Sequence, residues 1–289
     1  MARNEKAKDK NLFKGDDNTV VLTVDLEAVL LAPNLKASAL YYKTKLACHN
    51  YTIFDLHSGH VTCFFWHEGA GGLDADIFAT CLLDYLENNE RCKLASKLII
   101  YSDGCTYQNR NVNLSNALLH FSNKTRKTVI QKILEKGHTQ MECDSVHAAC
   151  ERAMRDKKIY VPANYVDYIK AARKTRPYDV KYLSHDFFKS YGDLQYYSSV
   201  RPGNKAGDPV VTDIRQLQYK NGEIRYKLDY SNGDFIALPR RVRENRGIVK
   251  EKYKEKQKIK KTKYDHLQEL KRVIPRDYHS FYDSLVHDG

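Results

Sequence analysis

The chain contains no run of 18 apolar residues, so no membrane-spanning helix and no membrane partner are expected. Its opening stretch, MARNEKAKDKNLFKGDDN, is charged from the start and lacks an apolar core, so it does not read as a secretory signal. No CxxC pair is present. The seven cysteines (Cys48, Cys63, Cys81, Cys92, Cys105, Cys143 and Cys150) are irregularly spaced and odd in number. That excludes an obvious disulfide framework and points to a reducing compartment. No internal repeat is visible. Acid is in deficit, with 36 Asp and Glu against 48 Lys and Arg, which leaves a net charge of +12.

What is present is a foldable chain. Apolar residues make up 42%, including 21 Tyr and 10 Phe, and this is too much to remain disordered. A length of 289 residues allows one large domain or two ordinary ones. Residues 1–18 read as a polar lead-in. TVVLTVDLEAVLL (19–31) reads as a buried strand. ALYYKTKLACHNYTIFDLHSG and HVTCFFWHEG read as two more, joined at a turn that holds Gly59. Residues 73–90 have apolar positions at helical spacing, with Asp74 near the helix start. KLIIYSD (97–103) reads as a central strand, 111–125 as a helix, TVIQKIL as a strand and 143–157 as a helix. The order β-β-β-α-β-α-β-α implies an α/β fold, a mixed sheet with helices on its faces.

Beyond residue 158 the pattern changes. IYVPANYVDYIKAARK reads as a loop and helix, and YLSHDFFKSYGDLQYY as an aromatic segment packed on the preceding domain. KNGE lies between two strand-like runs and predicts a hairpin, to which SNGDFIAL could add a third strand. This divides the chain into a lead-in (1–18), a catalytic-type domain (19–175), an extension with a β-hairpin (176–239), a basic segment (240–263) and a helical tail (264–289).

An unpaired carboxylate is costly to bury, yet Asp25 interrupts the first apolar run and Asp103 ends the fourth. If those strands are neighbours, the two acids converge and repel unless a divalent cation joins them. Oxygen ligands of this kind suit Mg²⁺ or Mn²⁺. On a helix, Asp144, His147 and Glu151 fall within about 60° of each other, on one face. Asp25, Asp103, Asp144, His147 and Glu151 are therefore the candidate catalytic and metal-binding residues. Two ions held this way activate water and steady a leaving oxygen in phosphodiester chemistry. Glu27, on the same strand face as Asp25, is a weaker extra candidate.

Other readings compete. Asp144 also suits the start of a helix through the helix dipole. Cys143, His147 and Cys150, with His138, make a zinc alternative. Gln108, Asn109 and Arg110, directly after Asp103, could touch phosphate or support the acids, or simply form a polar loop. Residues 240–263 carry twelve Lys and Arg and three Glu. Arg240, Arg241, Arg243, Lys258, Lys260 and Lys261 are the candidate contacts to a polyanion. The bland alternative is a solvated linker.

An acid in the first strand, one after the fourth and one on a following helix resembles the ribonuclease H-like fold. That fold serves retroviral-type integrases, DDE/D transposases and Holliday-junction resolvases. TVDLEAVL, ALYYKTKL, IIYSDGCTYQNRN, GHTQMECDSVHAACERAM and IYVPANY resemble a domain of unknown function, common in animal genomes, that occurs in transposase-derived proteins. DSVH is similar to the C/DxxH signature of several eukaryotic transposase groups, which would place Asp144 and His147 in that signature. The resemblance covers about residues 12–170, and the tail LKRVIPRDYHSFYDSL more loosely. It implies a nuclear, DNA-processing protein that uses Mg²⁺ or Mn²⁺, with RNA as an alternative substrate and a homo-oligomer compatible with it. The alternative is a domesticated, catalytically inactive protein that binds DNA or chromatin.

Overall fold

The computed structural model describes residues 2–12, 15–135, 141–231, 233–239 and 245–289. His138, Arg240, Arg241 and Arg243 lie outside the described residues. The first half runs α1 (Ala2–Leu12), β1 (Thr19–Leu26), β2 (Leu30–Ala32), β3 (Leu46–Asp55), β4 (Val61–His67), α2 (Ala75–Asn88), α3 (Glu90–Leu94) and β5 (Lys97–Ser102). It continues through α4 (Thr106–Asn109), α5 (Val112–Thr125), β6 (Thr128–Ile133), α6 (Glu142–Met154) and α7 (Pro162–Ala171). Then come the strands β7 (Asp179–Tyr182), β8 (Lys189–Ser190), β9 (Leu194–Gln195), β10 (Gln216–Lys220), β11 (Glu223–Lys227) and β12 (Ile236–Ala237). Two short strands, β13 (Asn245–Arg246) and β14 (Lys250–Glu251), precede α8 (Lys261–Leu270) and α9 (His279–Asp283).

The fold is α/β, and its sheet has ten strands. Its path is β12-β11-β10-β6-β5-β1-β3-β4-β7, with β2 on β3. β1, β5 and β6 are parallel neighbours, whereas β3 runs antiparallel to both β1 and β4. β4 therefore points the same way as β1. The ends of β1, β4 and β5 lie at one end of the sheet, and that is where the candidate acids are delivered.

Strand alternation splits the core in two. Val20, Leu22 and Val24 face α2 and α5, together with Ile53, Phe64, Trp66, Leu98 and Ile100. Val21 faces the other side with Ile99, Tyr101 and Cys143 of α6. Cys63 and Phe65 meet Val146, Cys150 and α7 on that same side. Helix starts follow side-chain chemistry. Asp74 caps α2 through Asp76 N–H, and Asn111 caps α5 through Leu114 N–H at 2.8 Å.

Several expectations change. The run 19–31 is not one strand: β1 stops at Leu26 and β2 forms separately on β3. The stretch from residue 38 becomes a strand only at Leu46. The polar lead-in is largely helical. α1 lacks an apolar stripe and is tied down by charge instead: Lys132, buried in β6, pairs with Glu5 and Asp9, and Asp9 also accepts from Tyr101 at 2.6 Å. Residues 176–239 build on the main sheet and core, and their aromatic segment packs on the preceding elements as expected. β7 extends the sheet at one edge and the β10–β11 hairpin extends it at the other, on β6. Phe188, Tyr191, Leu194, Tyr197 and Leu238 enter the same core as β1. The hairpin itself matches expectation. Asn221 and Gly222 have φ of 51° and 77°, the pair of positive values that a two-residue turn of this type requires.

Candidate metal centre

Asp25 sits near the end of β1, and its cross-strand partner on β3 is Thr52. On the other side, Thr23 pairs with Tyr101 of β5. Two residues further along the same register lies Asp103, on the same face. α6 crosses this face. It is pinned by Cys143, whose fully buried Sγ lies 3.4 Å from Thr23 O and 3.6 Å from Thr52 O. That contact sets the height of the helix and brings Asp144 and His147 over Asp25. One donor atom each from Asp25, Asp144 and His147 lies within 4.8 Å of the others.

His147 spans the gap between sheet and helix. Its Nε2 lies 3.0 Å from Thr52 Oγ1, and its Nδ1 lies 3.9 Å from Asp25 Oδ2. The second distance is too long for a hydrogen bond but within the span of two ligands on one cation. Burial pushes the imidazole down to about pH 4, with Asp144 pulling the other way, so the ring is neutral at pH 7. A neutral ring that donates from Nε2 to Thr52 leaves the Nδ1 lone pair facing Asp25. Asp144 does two jobs. Its Oδ2 accepts the Met141 N–H at 2.7 Å and closes the start of α6, as the helix-start reading expects. The carboxylate is exposed, and one of its oxygens belongs to the group of donors within 4.8 Å of one another.

Asp25 is the strained member. Burial first, then the charges of Asp103 and Asp144, raise its carboxyl to about 7. The hydrogen bond from Leu26 N–H opposes this. Asp103 is held by its own loop: its Oδ1 accepts from Asn109 Nδ2 at 2.7 Å and from Cys105 N–H at 3.1 Å. Two carboxylates and an imidazole, with a third carboxylate alongside, are a donor set that could hold a divalent metal ion.

The remaining candidates separate. Glu151 does not reach the trio. It is exposed and lines an open groove of about 400 Å³ with Asn34, Lys36, Met154 and Arg155. Its charge acts on Glu27, not on Asp25. Seven residues return to the same helix face but climb about 10 Å along the axis, and the angle alone hides that. Glu27 is buried and accepts from Asn50 Nδ2 at 2.8 Å; burial, with Glu151 adding to it, raises it to about 7.

Gln108, Asn109 and Arg110 are all buried. Asn109 supports Asp103, which is the supporting role expected of that loop. The Arg110 guanidinium packs against Gly104, where a Cβ would come within 2.8 Å of Nη2, and donates to Thr212 O at 2.6 Å. None of the three presents an open face to a phosphate. Lys258, Lys260 and Lys261 are exposed, and Lys261 pairs with Asp265 at 2.6 Å. Cys143 and Cys150 are fully buried, and burial drives both thiols well above their ordinary range. Neither joins a metal-capable group among the described residues, where His147 groups with Asp25 and Asp144 instead.

Thr52 is the residue that sequence reasoning missed. Nothing in HNYTIF marks it, and only the β1–β3 register reveals it as Asp25's neighbour. In comparisons with known proteins, the chain matches no family model, no curated protein and no solved structure.

Proposed function

We propose that this protein is a metal-dependent DNA-processing domain of the DDE/D transposase type, acting on phosphodiester bonds with Mg²⁺ or Mn²⁺. The observation that carries this reading is the convergence of Asp25, Asp144 and His147 at the end of a central strand, with the charge of Asp103 also acting on Asp25. A mixed sheet that carries acids on its first strand, after the adjacent parallel strand and on a helix over the same face is compatible with a ribonuclease H-like class.

In this reading Asp25, Asp144 and His147 would hold one cation, and Asp103 with Asp25 would offer oxygens to a second. Such ions supply Lewis acidity at the attacked phosphorus and at the leaving oxygen. Thr52 fixes the His147 ring, and Asn109 fixes the Asp103 carboxylate, so the ligands are oriented before the metal arrives. Partial burial of Asp25 and Asp103 weakens the screening of their charges by solvent.

The test is cleavage or strand transfer on supercoiled plasmid and on short oligonucleotides, with Mg²⁺, Mn²⁺ or chelator. Wild-type protein is expected to act only with metal, and Asp25→Asn and Asp103→Asn to fall to background. Activity that persists in both variants would overturn the mechanism. A protein that binds DNA but never cuts it would instead be the inactive, domesticated form.

A further inference from the structure

From Lys250 on, the basic segment is not a loose tail. Its backbone is stitched to the body: Lys252 N–H donates to Phe188 O, Gln257 N–H to Gly69 O and Ile259 N–H to Val286 O, each at 2.9 Å. Ile259 is buried, and Tyr253 and Gln257 are half-buried. Lys256, Lys258 and Lys260 alternate with Gln257 and Ile259 and are exposed. Four other lysines of the segment are engaged by acids: Lys250 by Asp193, Lys252 by Asp74 and Asp76, Lys261 by Asp265 and Lys263 by Glu68. Lys256, Lys258 and Lys260 have no ion pair among the described residues. An extended chain repeats every two residues over about 6.6 Å, which is comparable with the separation of neighbouring phosphates along one extended nucleic-acid strand.

The location matters as much as the spacing. Gly69 follows β4, so the strap crosses the same end of the sheet to which β1 delivers Asp25. The β2–β3 loop lies at that end too. It carries Tyr41 and Tyr42, exposed at 81% and 85%, with their rings edge to face at 4.9 Å. Two neighbouring tyrosines almost wholly in water are not explained by the core. Leu40, next to them, packs in the same cluster as Ile259 of the strap. Lys43 pairs with Glu269 at 2.6 Å and Thr44 N–H donates to His266 Nδ1 at 3.1 Å, which anchors the loop to α8.

We propose that Lys256, Lys258 and Lys260, with Tyr41 and Tyr42, form a track for single-stranded nucleic acid at the metal-centre end of the sheet. The lysines follow successive phosphates and the tyrosines stack bases, a combination that holds one strand without reading its sequence. The inference rests on the proposed function and narrows its substrate to an unpaired strand or a splayed end.

The experiment is fluorescence anisotropy with the full chain in chelator, so that binding is measured apart from metal chemistry. The probes are labelled dT₂₀, U₂₀ and a 20-base-pair duplex over a salt series. Expected is tighter binding of dT₂₀ or U₂₀ than of duplex, and the ratio of the two single strands says whether DNA or RNA is preferred. Triple replacement of Lys256, Lys258 and Lys260 by Ala is expected to lower the log–log salt slope by about 2. Tyr41→Ala/Tyr42→Ala is expected to weaken dT₂₀ binding by at least about fivefold, with an unchanged circular dichroism spectrum and melting point. Duplex bound as tightly as dT₂₀, or both variants binding dT₂₀ like wild type, would overturn the track. Metal-dependent cutting of duplex without preferential single-strand binding would sink the track and leave the proposed function standing. Single-strand binding that needs these five residues, with no cutting in any metal, would do the reverse.

Discussion

At the level of single residues, burial and charge oppose each other most sharply at Asp25. Its carboxyl is raised from 3.8 to about 7, so between those values the folded state keeps a proton that the unfolded chain releases. Stability therefore falls as pH rises through that window, and the loss is complete above pH 7. The buried imidazoles of His49 and His147 and the half-buried one of His67 run the other way. Each is lowered from 6.5 to about 4, so their contribution is lost as pH falls from 6.5 towards 4. Asp25→Asn is expected to stabilise the metal-free protein at pH 8, by up to about 4 kcal/mol, with the gain vanishing near pH 4. Thermal melts in chelator across that range check it, and a variant less stable than wild type at pH 8 would contradict it. Added Mn²⁺ should raise the melting point of wild type and not of the variant.

The same residues show what could be read in advance. Asp25 and Asp103 stood out because a carboxylate in an apolar run has few bland explanations. Asp144 and His147 followed from helical spacing, three residues and about 4.5 Å apart along the axis. Glu151 shared their face but not their height. Thr52 and Asn109 act through hydrogen bonds to an acid or a ring, and only one of these two lay close enough in sequence to its partner to be anticipated.

At the level of elements, local chemistry that fixes its own backbone was legible and tertiary pairing was not. The KNGE turn is the clearest case. Gly222, at φ 77°, accepts a conformation that Ala resists. Gly222→Ala is expected to cost about 1 kcal/mol or more, and Asn221→Gly to be nearly neutral, read as shifts in the urea midpoint. Equal midpoints for both would argue against the turn. That the hairpin pairs with β6 depends on residues about 85 positions apart, such as Gln131 and Leu217, and no local word encodes that. α1 was invisible for another reason. Its anchor is a buried lysine on a distant strand, whereas amphipathic patterns report only apolar anchors.

At the level of the whole molecule, the extension after residue 175 shares the sheet and core of the elements before it. The face of β1 that bears Leu22 is covered partly by Phe188, Tyr191, Leu194 and Tyr197. A chain ending at residue 175 would expose that surface and leave β6 unpaired on one side. It is expected to aggregate or to bind a hydrophobic dye, without the cooperative melt of the full chain. A sharp two-state transition from residues 1–175 would restore the division that the composition suggested. The basic segment was legible as a polyanion contact only in part, because net charge does not show which lysines the protein's own acids already engage.

The width of the sheet has one more consequence. A ten-stranded sheet presents two rims of open backbone, and a long flat rim is a template on which further copies can assemble into fibres. Here the rims are the shortest paired strands on the path: β12, with two residues, and β7, with four, including Asp179 and Lys181. An incoming strand would find little ladder to extend and a charged pair in its way. The hairpin and the segment after α7 therefore do more than enlarge the core. Among the described residues they end the sheet on short strands, which offer an incoming strand little backbone to pair with.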